Sequence, residues 1–317
     1  NMDTLSLVIA IEEIGKVCAS TAATMMAHTS LGTAPIVAFG TEKQKDKYLP
    51  DLVTGRKIGA FGLTEPNAGS DAGNTQTTAI LDGENFYVNG QKSFCTNAGV
   101  ANTIIFTARL IRDGKDEGIS AFIVEKDTKG LSVGKPEKKM GWRGSDTRSV
   151  FFENMIIPKD SILGSPSKGF KQFLKTLVGG RITIGALSLG TAQGAYELAL
   201  KYSKERDAFG KKINNFQAIS FKLADMATSI EASKHLVYHA AWLKDQNQPV
   251  TKEAAMAKLY ASETAMRVCT EAIQIHGGYG YIKEYDVERF FRDAKILEIG
   301  EGTSEIQRII ISRNILK

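Results

Sequence analysis

The hydrophobic period of this 317-residue chain changes twice, and that change confines the folds open to it. Up to about Gly55 the apolar residues recur at helical spacing. Leu5, Val8, Ile9, Ile14, Val17 and Cys18 follow Asp3, a residue suited to cap a helix. Thr41-Glu-Lys-Gln44 reads as a capping box opening a second helix that ends near Thr54-Gly55. From about Ile58 to Pro158 the texture is different. Short β-branched and aromatic runs (Thr103–Ala108, Ile119–Val124, Ser149–Phe152) alternate with the turn pairs Asp82-Gly83, Asn89-Gly90 and Asp113-Gly114. These predict an antiparallel sheet domain, a small barrel or sandwich.

After Lys168-Gly169 the helical period returns and holds through Phe170–Arg206, Phe216–Gln246, Lys252–His276 and Ser304–Leu316. Gly185, Gly190 and Gly194 each cost a helix about 1 kcal/mol relative to Ala, so they predict close helix–helix approach. The fold class is therefore α+β by segregation, with no βαβ rhythm. The expected domains are an incomplete N-terminal helical domain (1–55), a middle antiparallel β-barrel domain (56–163) and a C-terminal helical bundle (164–317).

Composition removes several function classes. A net charge of +5 is modest, and the clusters Lys43–Lys45–Lys47 and Lys211–Lys212 are short, which suits solvated helix faces and not a nucleic-acid site. Cys18, Cys95 and Cys269 form no CxxC pair and are odd in number, so free thiols in a reducing compartment are expected, with no metal site. No apolar run approaches the ~20 residues of a membrane span. Leu5–Ile11 lacks a basic leader and so reads as a helix, not a signal peptide. Because the chain opens on Asn1 and not Met, a native N-terminal portion is expected to be missing. There is no GxxxxGK[ST] loop and no GxGxxG after a strand, so neither an NTPase nor a Rossmann dehydrogenase is supported.

Three segments carry chemistry. In Gly62-Leu-Thr-Glu-Pro-Asn-Ala-Gly-Ser-Asp71, Pro66 sets a turn, Gly69 leaves room for a ligand near the backbone, and Thr64 and Ser70 supply hydroxyls; alone, it could equally be a structural turn. Gln274-Ile-His-Gly-Gly-Tyr-Gly-Tyr281 ends a helix. A C-cap explains one glycine but not three, so the surplus suggests backbone laid against a flat or phosphorylated ligand, with His276 a helix-end hydrogen-bonding residue. In Glu301-Gly-Thr-Ser-Glu-Ile-Gln307, Ser304 and Gln307 read as a capping box, and the free N–H groups of the helix start suit an anionic or carbonyl ligand. Glu301 could be a dipole-stabilising acid, but that role does not require Gly300 and Gly302 on either side.

Together these segments resemble the acyl-CoA dehydrogenases. Gly62–Asp71 is similar to the family's first signature. Gln274, Gly277, Gly278, Gly280, Tyr281, Glu284, Arg289 and Asp293 match the second across its full spacing. The likeness covers nearly the whole chain and is nearest to short-chain, butyryl-CoA-type members, whose chains begin a few dozen residues earlier.

The resemblance implies an N-terminal helical domain, a β domain and a four-helix bundle, with FAD between the last two. It implies that Phe61, Leu63, Thr64, Gly69, Ser70, Phe94 and Thr96 border the flavin, and that Thr303 and Glu305 hold its pyrophosphate. Arg206, Phe209, Gln217, Gln274, Gly277 and Gly278 would bind the FAD of a neighbouring subunit, implying an obligate oligomer, typically a homotetramer.

Ser70, Ser145, Arg181 and Gly302 would lie near the acyl-CoA, and Glu301 would be the catalytic base, with its pKa raised by burial towards ~6–7. Its backbone N–H and a flavin ribityl hydroxyl would form the oxyanion hole, an effect of roughly 3–4 kcal/mol per donor. Some relatives carry the base at the position of Gly180, which cannot serve here. Two departures stand out: Val178 replaces an Asp that touches CoA, and Gly300 replaces a Tyr, as in isovaleryl-CoA-type members. Met25 and Met26 would floor a short acyl pocket.

The implied activity is α,β-dehydrogenation of a short-chain, possibly branched, acyl-CoA in fatty acid β-oxidation, with electron-transfer flavoprotein as acceptor. The bacterial cytoplasm and the mitochondrial matrix both suit it. An acyl-CoA oxidase of the same fold and a non-catalytic flavoprotein subunit are the alternatives.

Overall fold

The structure is a computed structural model and describes residues 3–316. The chain packs as two compact units: one takes in residues up to Ala23, Lys139–Gly144 and everything from Val178 on, and the other Thr24–Lys138 and Ser145–Leu177.

The first unit is helical. Helix α1 (Thr4–Gly15) is capped by Asp3, whose carboxylate accepts from Ser6 N at 2.7 Å. Its buried face is Val8, Ile11, Glu12 and Gly15, whereas Ile9 and Val17 of the apolar series are exposed. The other end of the fold meets it here: Asp245 accepts from the Thr4 and Leu5 backbone at 2.8 and 3.0 Å.

Asp245 closes α6 (Gln217–Asp245), which packs beside α5 (Gly169–Glu205) and α7 (Thr251–His276). The α5 glycines are contact points. A Cβ at Gly190 would collide with the Glu12 carbonyl, one at Gly194 with the Lys16 carbonyl and the Phe290 ring, and one at Gly185 would sit 3.0 Å from Val237 Cγ2. At Gly190 and Gly194 the chains approach more closely than an alanine permits, and at Gly185 a methyl group would fit only if Val237 gave way slightly.

Short helices α8 (Val287–Ala294) and α9 (Ser304–Ile315) complete the unit. The buried Asp293 of α8 accepts from Trp142 N at 2.6 Å, which ties the 139–144 segment down.

In the second unit, the end of α2 (Ala19–Met26) runs through a π-helical turn, Ala27–Thr33, into α3 (Ala34–Phe39) and α4 (Glu42–Val53). The Thr41/Gln44 capping box is present in full, and Gln44 Nε2 also donates to the Asp160 and Ile162 carbonyls at 2.9 Å.

Eight strands form one sheet: β1 (Gly59–Gly62), β2 (Thr78–Asp82), β3 (Asn85–Thr96), β4 (Thr103–Arg112), β5 (Lys115–Glu125), β6 (Leu131–Val133), β7 (Thr147–Pro158) and β8 (Ile162–Leu163). The order β6-β7-β3-β2-β4-β5-β8 leaves β6 and β8 at the two ends, so the sheet is not the closed barrel expected from the sequence. It is also mixed, because β1 and β2 both run parallel to β4, along successive stretches of its edge.

The Asp113-Gly114 hairpin has φ of 51° and 73°, as a type I′ turn needs. Asn89-Gly90 is not a turn. It lies inside β3 at a register shift, with Gly90 at φ 146° and so close to Thr77 that a side chain there would strike it. The sheet core is dominated by Phe86, Phe106, Phe122 and Phe152, with Phe106 stacked on Phe152 at 4.4 Å between centroids. No helix among the described residues is long and apolar enough to cross a membrane.

Candidate active site

The Glu301 segment lies in the helical unit between a 3₁₀ turn (Lys295–Glu298) and α9. Thr303 caps α9, its hydroxyl accepting from Ile306 N at 3.3 Å. The helix therefore starts one residue earlier than the Ser304/Gln307 reading, and Gln307 is turned to another task. Its Nε2 donates to the carbonyl of Gly302 at 2.8 Å and of Glu301 at 3.4 Å.

Those carbonyls belong to an uncommon backbone. Glu301 has φ 53° and Gly302 φ 96°, left-handed conformations that turn the chain sharply and aim the Glu301 side chain inward. Held-in non-glycine strain of this kind costs of order 1–3 kcal/mol and persists only where the surroundings enforce it.

The carboxylate ends in a tight place. Although the residue is only partly buried, Oε2 is out of solvent and has no hydrogen-bond partner. It lies against Gly180 of α5, where any Cβ would overlap Oε2, so the glycine makes the room the carboxylate occupies. Burial pushes the Glu301 pKa up to about 7, against the opposing pull of the Arg181 and Lys258 cations.

Arg181 is 5% exposed with its Nε unsatisfied, and burial lowers its pKa. Lys258, on α7, is fully buried, donates to the Gly302 carbonyl at 2.8 Å, and is brought down to about 8 by burial. The result is an acid that ionises near neutrality beside two buried cations.

Lys258 escaped the motif reading, although a signal existed. It sits one helical turn from both Ala254 and Ser262 on the small-residue face of α7, where a lysine is out of place.

In the same unit, a cavity of about 520 Å³ is lined by Tyr202, Arg206, Ile213, Ile275, His276, Gly277, Gly278, Tyr279 and Ile282. His276 Nδ1 bonds the Ala272 carbonyl at 2.7 Å and its ring stacks on Tyr202 at 4.2 Å, which makes it a wall residue. Gln274, Arg206 and Gln217 are exposed on this unit. Phe209 is 96% exposed at the tip of a two-stranded hairpin, with φ 50°. Glu305 is exposed in the first turn of α9.

The β unit holds the other segment. Glu65 and Ala68 exchange backbone hydrogen bonds at 3.1 Å, so Pro66-Asn67 closes a two-residue turn. The turn is anchored from beneath. Glu65 accepts from Gln76 N at 2.6 Å, Thr77 N at 3.1 Å and Lys92 Nζ at 2.6 Å, and Lys92 is completely buried. Lys92 also donates to the Leu63 carbonyl at 3.3 Å, and Ser93 N to the Thr64 carbonyl at 2.8 Å.

Phe61 stacks on Phe173 at 4.2 Å, so it has a core role whatever else it touches, and Leu63 packs on the same cluster. Gly69 and Ser70 are exposed, and a Cβ at Gly69 would meet nothing within 4 Å. Phe94 is 67% exposed at φ 56°, followed by half-buried Thr96; Ser145 is buried in this unit.

The acyl-CoA dehydrogenase C-terminal, middle and N-terminal domain families match residues 167–316, 60–155 and 1–56. The chain belongs to the acyl-CoA dehydrogenase family. It is 51% identical over 315 residues to a short-chain-specific acyl-CoA dehydrogenase of Clostridium acetobutylicum, covering 99% of this chain and 83% of that protein. It is 47% identical over 315 residues, with the same coverage, to the CarC subunit of the caffeyl-CoA reductase–Etf complex of Acetobacterium woodii. The solved butyryl-CoA dehydrogenase of Megasphaera elsdenii superposes with a TM-score of 0.97 at 48% identity, covering 99% of this chain and 82% of that one.

An acyl-CoA dehydrogenase is an FAD-dependent oxidoreductase, and this chain's residues fit the cofactor. Gly69, Gly277 and Gly278 leave open space where a Cβ would point, and Phe94 and Phe209 hold large aromatic surfaces out to solvent. Within each unit, backbone free of side chains and uncovered rings are features that a planar, phosphorylated group can use.

Proposed function

We propose that Glu301 is the base of a short-chain acyl-CoA dehydrogenase, taking the proton from the α-carbon of the thioester as the β-hydrogen leaves with its electron pair. The Cα–H and Cβ–H bonds break, a trans double bond forms between the two carbons, and the product is the trans-2-enoyl-CoA. FAD, when bound, supplies the hydride acceptor.

One observation carries the reading: a carboxylate oxygen without a hydrogen-bond partner, out of solvent and fitted against Gly180, with its pKa pushed up to about 7. A general base works best when its pKa lies near the operating pH. Arg181 and Lys258 supply positive charge beside the place where thioester charge develops, and the Glu301 N–H is the chain's own donor for that oxygen.

In the flavin site we place Phe61, Leu63, Thr64, Gly69, Ser70, Phe94, Thr96, Thr303 and Glu305. The FAD of a second subunit would meet Arg206, Phe209, Gln217, Gln274, Gly277 and Gly278. The 96% exposure of Phe209 leaves its ring free for a second copy to cover; the homotetramer is what the family resemblance implies. Ser70, Ser145, Arg181 and Gly302 are assigned to the acyl-CoA.

A short acyl chain is supported by the short-chain and butyryl-CoA names of the relatives, and branching by Gly300, which brings no side chain to the position before Glu301. A reductase–Etf complex among them supports electron-transfer flavoprotein as the redox partner. A bacterial cytoplasm or the mitochondrial matrix is the compartment that fits these partners.

The test is anaerobic reduction of the flavin-loaded protein by a panel of acyl-CoAs, then reoxidation by oxygen or by electron-transfer flavoprotein. Butyryl- or isovaleryl-CoA should bleach the flavin fastest, and the flavoprotein should restore it. Faster bleaching by octanoyl-CoA would defeat the short-chain reading, and rapid turnover with oxygen the choice of acceptor.

A further inference from the structure

A fully buried lysine that makes no ion pair within 4 Å among the described residues calls for an explanation. Lys258 sits among Ala254, Ala255, Ala257, Ala261 and Ser262 on the core face of α7. An ammonium there loses its hydration, a cost of several kcal/mol that a packing role would not justify. Its hydrogen bond shows what it serves: Nζ donates at 2.8 Å to the Gly302 carbonyl, and Gln307 Nε2 donates to the same oxygen from the other element at 2.8 Å. Two donors from α7 and α9 therefore converge on the carbonyl of Gly302, in the peptide that joins it to Thr303. That peptide closes the left-handed turn on its C-terminal side, directly after Glu301 at φ 53° and Gly302 at φ 96°.

We propose that Lys258 is a positioning residue for Glu301, its buried ammonium clamping the Gly302 carbonyl to hold the left-handed turn and keeping a positive charge beside the carboxylate at neutral pH. The inference rests on the reading of Glu301 as the base. Several charges face this pair. Arg181 on α5 and Lys258 both favour the ionised Glu301, while Glu298 in the 3₁₀ turn, Glu263 on α7 and Glu301 itself favour the charged Lys258, and Arg181 opposes it. With Lys258 removed, Arg181 alone offsets the burial of the carboxylate, so Glu301 should ionise at higher pH. The turn should also lose one of its two clamps.

The test uses the flavin-loaded enzyme and two readouts: the rate of anaerobic flavin reduction against pH, and the titration of the Glu301 carboxyl by infrared difference spectroscopy. The carboxyl band is assigned by its absence in Glu301→Gln. Lys258→Met should keep its flavin, move the carboxyl midpoint up by about one pH unit or more, and cut the reduction rate at pH 7 by about tenfold, with part of the loss recovered at higher pH. Lys258→Gln, which keeps a donor for Gly302 but no charge, should show the midpoint shift with a smaller loss at high pH; it carries the test if the methionine variant fails to assemble. Gln307→Leu should slow reduction without moving the midpoint. An unchanged midpoint in both Lys258 variants overturns the proposal even if they are slow. Full flavin reduction by Glu301→Gln would instead remove the base reading beneath it.

Discussion

Replacing Glu301 by glutamine should separate the cost of burying the acid from its use. In the folded chain the pKa rises from 4.5 to about 7, and burial is the cause. The sign follows from proton binding. Between those two values the folded state holds a proton that the unfolded state has released, so this group's contribution to stability falls as pH rises through the window and levels off above about 7. At about 1.36 kcal/mol per pK unit, the loss between pH 5 and pH 8 amounts to about 2–3 kcal/mol.

Glutamine does not titrate and escapes that loss. Its amide, however, would lie where Oε2 now has no hydrogen-bond partner, and leaving it unsatisfied costs about 1–3 kcal/mol at every pH. The informative quantity is therefore the change with pH of the difference between the two proteins, from which the amide term cancels.

Thermal midpoints of flavin-loaded wild type and Glu301→Gln, at matched protein concentration, should diverge by several degrees in favour of the variant on going from pH 5 to pH 8. Flavin reduction by butyryl-CoA should meanwhile be lost while FAD is retained. A stability difference that stays constant over this pH range would refute the claim that burial strains the ionised acid.

Three further outcomes follow from the same geometry. Gly180→Ala would place a methyl group where Glu301 Oε2 lies, so flavin reduction should fall by about 10²-fold or more with FAD content unchanged by absorbance. In the wild type, the rate of reduction at saturating substrate should climb with pH through about 7, as the base loses its proton; a flat profile from pH 5 to 9 in stopped-flow would contradict it. Lys92→Met leaves Glu65 charged and buried beneath the Pro66 turn, so urea unfolding should show a loss of about 3–5 kcal/mol together with weaker flavin retention, whereas Lys43→Met, from an exposed pair, should change little.

Local rules made much of this legible. The Asp3 cap, the Thr41/Gln44 box and the Asp113-Gly114 turn depend only on neighbouring residues, and all three form as their residue types demand. The α5 glycines announced close helix contacts because glycine inside a helix has no local justification. Local reading failed where a distant strand or backbone decided. Asn89-Gly90 has turn composition, yet β7 pairs along both sides of it and Thr77 crowds it, so it became a bulge. Strand order was likewise invisible: β1 and β2 lie parallel to β4, a pairing across long loops that no turn signal encodes.

The same division holds at the site. By itself the sequence determined the segregated α+β plan, the family, and Glu301 as an acid flanked by glycines at a helix start, because each of these is written in composition, spacing or motif. Tertiary structure alone decided that Oε2 lies out of solvent against Gly180, that Thr303 and not Ser304 caps α9, and that Lys258, 43 residues away in the chain, reaches the carbonyl of the residue after the acid. The physical reason is desolvation. A carboxylate's pKa and a lysine's task depend on which atoms exclude water around them, and those atoms come from α5, α7 and α9 only once the helices have packed.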